Sequence, residues 1–186
     1  MMSLQIQGVI IECVRGNIAD QPDMEAIVNA ANAELRTGGG VAGAIHRAAG
    51  PELEQECRAL APIRPGQAVI SGGHRLPNRH VIHCLGPVYG VDQPSAALLA
   101  SCYRNALQLA EQQGLASLAF PSISTGVFGY PMAEAAGVAF TTILGELARL
   151  KSVRRIRFVL FGEADLDLHQ KALQQAAGRA GQGEVR

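Results

Sequence analysis

Net charge is missing from this chain. Lys and Arg total 16 and Asp and Glu total 16 in 186 residues, so there is no basic excess to draw it to nucleic acid or an anionic membrane. No run of 18 apolar residues occurs, and the first residues, MMSLQIQG, lack the basic flank and apolar stretch of a secretory signal. A soluble, cytoplasmic protein is expected, with no nucleic-acid or membrane partner. The four cysteines, Cys13, Cys57, Cys84 and Cys102, lie far apart without a C-x-x-C pair, which argues against a disulfide framework or a zinc site and for small buried thiols. Neither G-x-x-x-x-G-K-[ST] nor G-x-S-x-G is present, so ATPase P-loop and serine-hydrolase chemistry drop away. What remains is a chain 48% hydrophobic and 17% charged, a balance that suits one packed globule.

Short runs rich in Val, Ile and Phe alternate with longer helical patterns, the arrangement of an α/β protein with helices on both faces of a largely parallel sheet. Six strands are expected: Leu4 to Val14, Ala26 to Asn29, Gln67 to Ser71, His80 to Leu85, Ser117 to Phe120 and Arg155 to Phe161. Helices are expected to begin near Gly40, Pro51, Ser95, Pro131 and Asp165. The third is the clearest, with Leu99, Cys102, Tyr103, Ala106, Leu107 and Ala110 at i, i+3, i+4 spacing. Gly50 followed by Pro51 marks a corner between two helices. Residues 1–176 form the one domain, and 177–186 read as a loose, flexible tail.

Two segments concentrate Gly, Asn, Ser and Thr between a strand and a helix: Asn29 to Gly50, and Pro121 to Pro131. Ligands of open α/β sheets bind beyond the carboxyl ends of strands, where helix starts present free N–H groups. Glycines allow close backbone approach, and Ser124 and Thr125 add donors, so the pair can cradle a diphosphate without Lys or Arg. Gly38, Gly40 and Gly43 satisfy G-x-G-x-x-G in letter only. The run begins well after its strand, and no acid lies between Leu60 and Asn78 to hold a ribose.

His80 and His83 stand three apart in a strand, point to opposite faces and read as structural. His46 shares a helix side with Ala42 and Gly43; packing and a functional role facing the loops are both open for it. Asn29 and Asn32 bracket two alanines beyond a buried strand, where one amide can bond the loop and the other a ligand.

At Asn29-Ala30-Ala31-Asn32, Gly38 to His46, His83 to Pro87 and Ile123 to Pro131, the sequence resembles the macrodomain family of ADP-ribose-binding modules, also known as Appr-1-p processing proteins. The resemblance runs from Arg15 to about Leu173. It implies a three-layer α/β/α fold around a mixed, mostly parallel sheet of about six strands, needing no metal or cofactor. By the same resemblance Asn17 and Ile18 meet adenine, as does Phe161. Asn32 holds the distal ribose, with Gly39, Gly40 and Val41 beside it. Ser124, Thr125, Gly126, Val127 and Phe128 wrap the diphosphate. Asn17 stands where the family usually has Asp, and Ala42 where its MacroD-like hydrolases carry the proposed general base, also Asp. The implied function is binding of ADP-ribose and hydrolysis at its distal ribose, with Asn32 and His46 as catalytic residues. Its substrates would be O-acetyl-ADP-ribose or mono-ADP-ribosylated proteins. A non-catalytic reader of ADP-ribose and an ADP-ribose 1''-phosphate phosphatase share the same pocket.

Overall fold

The run from Leu4 to Val14, expected as one strand, folds back on itself. In the computed structural model, which describes residues 2–183, β1 (Met2–Ile6) and β2 (Val9–Arg15) form an antiparallel hairpin closed by the Ile6–Val9 pair. Gln7 and Gly8 make the turn with φ of 49° and 78°, the left-handed pair that a two-residue turn needs to match strand twist. The sheet therefore has seven strands, in the order β1-β2-β7-β6-β3-β5-β4, rather than about six. The others are β3 (Ala26–Ala30), β4 (Ala68–Gly72), β5 (His80–Cys84), β6 (Ser117–Phe120) and β7 (Arg155–Leu160). Only the β1–β2 and β4–β5 pairs are antiparallel.

The helices are α1 (Gly40–Ala49), α2 (Pro51–Cys57), α3 (Ser95–Gln112), α4 (Met132–Glu146) and α5 (Glu163–Gly183), each beginning within two residues of its expected start. At the α1–α2 corner Gly50 has φ 86° and its amide bonds back to His46 O. Helix α5 continues to Gly183, so most of the stretch expected as a loose tail is helical. Residues 184–186 lie outside the described residues.

Strand alternation sends neighbouring side chains to opposite faces. Val28, Ile82, Leu118, Phe120 and Phe158 pack against α3, α4 and α5, while Ile27, Val81, Ala119 and Val159 pack against α1 and α2. This makes the three-layer α/β/α sandwich. The central strands are buried on both faces, which explains their apolar runs. The parallel strands β2, β7, β6, β3 and β5 end on one edge, and the loops leaving all five of those ends meet there.

One polar knot lies on the sheet. Glu12 on β2 accepts from Arg155 and Arg157 of β7 at 2.7 and 2.8 Å. Arg157, 8% exposed, also reaches Asp23 with both terminal nitrogens and Gln21 Oε1 at 2.8 Å. The Arg157 guanidinium holds the Asp23 carboxyl down at about 2. These contacts tie the loop between β2 and β3 to the sheet.

Candidate functional site

After β3 the chain turns through a local clasp. Asn32 Nδ2 donates to Arg36 O at 2.8 Å, and Asn32 Oδ1 accepts the Arg36 amide at 3.0 Å. The exposed Gly38–Gly40 run then enters α1, whose first backbone bond is Gly43 N to Gly39 O. The amides of Gly40, Val41 and Ala42 are left without helical partners, as at any helix start. Gly43 has to be glycine, because a Cβ there would stand 2.3 Å from Gly38 O. The glycine run thus folds against its own helix.

Opposite lies the loop from Pro121 to Pro131. Its hydrogen bonds run inward from Gly129 N to Gly126 O and from Tyr130 N to Ser124 O. Among the described residues, the amides of Ser124 to Phe128 donate to nothing. Ser124 adopts φ 67°, and its buried Oγ has no partner. Gly86, beyond β5, admits this close approach: a Cβ there would lie 2.0 Å from Ser124 Oγ. A row of free amides and one orphaned hydroxyl is a set of donors suited to an anion.

The third wall follows β2 and β7. Gly16 N bonds Leu160 O at 2.9 Å, so Asn17 and Phe161 leave adjacent strand ends. The Phe161 ring is 89% exposed although large and apolar. The Asn17 side chain is tied to its own loop, its Oδ1 accepting the Ala19 amide at 2.9 Å. Its Nδ2 donates to nothing within the described residues.

These walls enclose a cavity of about 830 Å³, within the range of small-molecule sites. Every residue expected to bind ligand lines it: Asn17, Ile18, Asn32, Gly39, Gly40, Val41, Ser124, Thr125, Gly126, Val127, Phe128 and Phe161. The sequence reading missed three notable members, Gly86, Arg47 and Asp165, the last two being the only charged residues of the lining. Arg47 follows Gly43 by one turn, and its Nη1 lies 3.0 Å from where a Gly43 Cβ would be. Long side chains on helices lean toward the N-terminus, and that spacing was the available signal. An acid in the first turn of α5 was the signal for Asp165.

His46 is the correction. It is only 5% exposed and is not among the lining residues, and its Nε2 meets no partner. One turn beyond Ala42, the imidazole packs inside rather than on the cavity wall. Burial lowers its pKa, against an opposing pull from Glu54. His83 is equally internal. Asn29 Nδ2 donates to its Nδ1 at 3.1 Å, leaving the proton on Nε2, which meets Ser71 Oγ at 2.8 Å. Burial, with His46 nearby, lowers the His83 pKa to about 3. Asn29 therefore serves the core, and Asn32 is the amide at the cavity. Among the described residues no group of three His, Cys, Asp or Glu side chains could hold a metal. No helix among those residues is long and apolar enough to cross a membrane.

Comparison with known proteins fits this geometry. Residues 28–139 match the Macro domain family. A Macro domain-containing protein of Chlorobaculum tepidum is 49% identical over 172 residues, covering 92% of this chain and 98% of that protein. The O-acetyl-ADP-ribose deacetylase of Enterobacter cloacae is 44% identical over 170 residues, covering 89% of this chain and 94% of that one. Among solved structures, the Oceanobacillus iheyensis macrodomain with ADP superposes with a TM-score of 0.91 at 41% identity, covering 96% of this chain and 97% of that chain. The Trypanosoma brucei macrodomain in complex with ADP-ribose gives 0.82 at 38% identity, covering 88% of this chain and 68% of that chain. The chain is an α/β/α protein with a nucleotide-sized cavity at the carboxyl edge of its sheet, and it belongs to the Macro domain family.

Proposed function

We propose that this protein binds ADP-ribose and hydrolyses bonds at its distal ribose, acting on O-acetyl-ADP-ribose or on mono-ADP-ribosylated proteins. The observation that carries the reading is the pair of facing amide rows, at the start of α1 and from Ser124 to Phe128, in a cavity with almost no charge. Such a site holds a diphosphate by backbone donors, which fits the neutral chain. Phe161 and Asn17 then receive the base. Asn32, the glycine run and Phe128 receive the distal ribose. The deacetylase names of two relatives and the ligands of the two solved macrodomains support ADP-ribose and its esters as the ligand class. The four free cysteines are all buried, which suits a reducing compartment such as the cytoplasm.

Hydrolysis here has no protein base at hand. Ala42 offers no acid, His46 is internal, and Asp165 belongs to the base end. A phosphate oxygen of the ligand, fixed by the amide rows, takes a proton from a water whose oxygen bonds to the acetyl carbonyl carbon of the ester, or to the anomeric carbon of the distal ribose in a modified protein. The proton passes to the leaving oxygen as the old C–O bond breaks. Positioning and transition-state hydrogen bonding supply the acceleration. The missing acid favours a second reading, in which the same cavity only binds ADP-ribose.

Calorimetry at neutral pH is expected to show one ADP-ribose per chain together with a rise in melting temperature, since a ligand of the native state stabilises it by mass action. Absence of both at millimolar ligand would refute the reading. Replacing Asn32 by Ala is expected to cost turnover more than affinity. Loss of a hydrogen bond weakens binding by about 0.5–1.5 kcal/mol, whereas loosening the Asn32–Arg36 clasp misplaces the ribose, worth on the order of 100-fold in rate. Equal losses of kcat and affinity would contradict a positioning role.

A further inference from the structure

The base end of the cavity combines a ring open to stacking with a polar group whose orientation is fixed. Phe161, 89% exposed, is the most exposed ring facing the ligand space. Stacking on an aromatic face does not distinguish among purines, because each presents the same π surface. Discrimination must come from the polar edge, and Asn17 lies on that wall.

The side-chain amide of Asn17 could in principle be read in either orientation, since oxygen and nitrogen are nearly equal in size. Here the neighbouring chain decides. The Ala19 amide needs an acceptor, so Oδ1 turns back to it at 2.9 Å, and Nδ2 is left free. The backbone of Asn17 is pinned as well. Its carbonyl accepts from the Asp20 amide at 3.0 Å and from Gln21 Nε2 at 2.9 Å. Gln21 is in turn held by Arg157 through Oε1 and by Asn78, which donates to its carbonyl at 2.8 Å. Asn17 is thus presented by a buried scaffold as a neutral donor. A carboxylate at the same place would present only acceptors.

A neutral donor suits an acceptor on the purine edge, and both purine classes have one: a ring nitrogen in 6-aminopurines, the exocyclic oxygen in 6-oxopurines. The one carboxylate of the lining, Asp165, has Oδ2 only 3.3 Å from where a Gly162 Cβ would stand. It is folded back over the start of α5.

We propose that Asn17 is a specificity-determining residue that opens the site to 6-oxopurine nucleoside diphosphate riboses as well as to ADP-ribose. The proposal rests on the reading that the cavity binds ADP-ribose. It extends the substrate class to the hypoxanthine and guanine counterparts.

The test compares ADP-ribose with its hypoxanthine counterpart, made by deaminating the adenine, for the wild-type chain and for Asn17→Asp. An aspartate still accepts the Ala19 amide, so the loop keeps its fold, and thermal unfolding of the variant verifies this. The wild type is expected to bind the two ligands within about threefold of each other. Asn17→Asp is expected to bind ADP-ribose more tightly, because a charged acceptor for the 6-amino hydrogens replaces a neutral donor to the ring nitrogen. It should bind the hypoxanthine ligand more weakly, because its carboxylate faces the exocyclic oxygen. Together these open a preference of at least about tenfold, or about 1.4 kcal/mol. A wild-type preference for ADP-ribose above about tenfold overturns the proposal. If Asp165→Asn abolishes that preference, the selectivity belongs to Asp165. An unchanged ratio in folded Asn17→Asp also overturns it. A wild type that binds neither ligand refutes the proposed function itself, and this inference with it.

Discussion

Replacing Ala42 by Asp is expected to raise the single-turnover rate of ADP-ribose release from a modified peptide by about 100-fold while weakening ligand affinity. Ala42 lines the cavity, is 6% exposed and lies in the first turn of α1, beside Asn32 and the glycine run. A carboxylate there enters a site whose distal end holds none, so a proton acceptor is added where the attacking water must lie. Positioned general bases contribute about 100- to 10,000-fold. The low end applies because the surrounding loops have not been shaped around an acid. The same charge stands near the bound diphosphate, and like charges at that range oppose binding. Opposite changes in rate and affinity separate this chemistry from a packing effect, which would move both downward. Single turnover at saturating enzyme reads the rate, and calorimetry reads the affinity. A folded variant no faster than wild type would mean that the ligand's phosphate already suffices or that the wild type only binds.

The largest effect on stability is expected at Arg157. Exchange for Met leaves Glu12, 5% exposed, and Asp23 with Arg155 as their remaining partner, and strips Gln21 Oε1 of its own. Breaking a buried ion pair costs about 3–5 kcal/mol. Because Arg155 still reaches Glu12 at 2.7 Å, the lower end applies, a fall in melting temperature of about 6–12 °C for a chain of this size. The effect depends on pH with a definite sign. Asp23 is lowered to about 2 by Arg157, so its share of the stability is present above the ordinary carboxylate pKa of about 3.9. That share fades as pH falls through about 2. Asp23 is half exposed, so solvent screens that share. Melts at pH 7 and at steps down to pH 2 should show the wild-type and Arg157→Met curves drawing together. A gap that widens in acid would contradict the assigned pairing.

The chain itself announced most of the scaffold, because parallel strands buried on both faces leave apolar runs such as Ala26 to Asn29 and Ser117 to Phe120. The hairpin was hidden for a local reason. Gln7-Gly8 is not an Asn-Gly or Asp-Gly turn, and the apolar run Val9-Ile10-Ile11 just beyond it masks the change of phase in the alternation. The binding loops were legible because free amides require Gly, Ser and Thr where a strand meets a helix. His46 was not, since helix spacing shows which residues share a side but not how sharply that side turns into the core. Asn17 is similar. Its identity is plain in the sequence, but the bond from the Ala19 amide that turns Oδ1 away is a property of the folded loop. Gly86 and Ser124 meet only across the β5–α3–β6 crossover, and nothing local to either signals the contact.

On the proposed function, two facing rows of backbone amides hold ADP-ribose so that its distal ribose is hydrolysed. The most direct measurement is multiple-turnover acetate release from O-acetyl-ADP-ribose by the wild-type protein, with ADP-ribose as a competing ligand. Acetate release above the uncatalysed rate is expected, inhibited by ADP-ribose at the concentrations that saturate the site in calorimetry. Binding of ADP-ribose without any acetate release, and without ADP-ribose release from a modified peptide, would contradict hydrolysis and leave a reader.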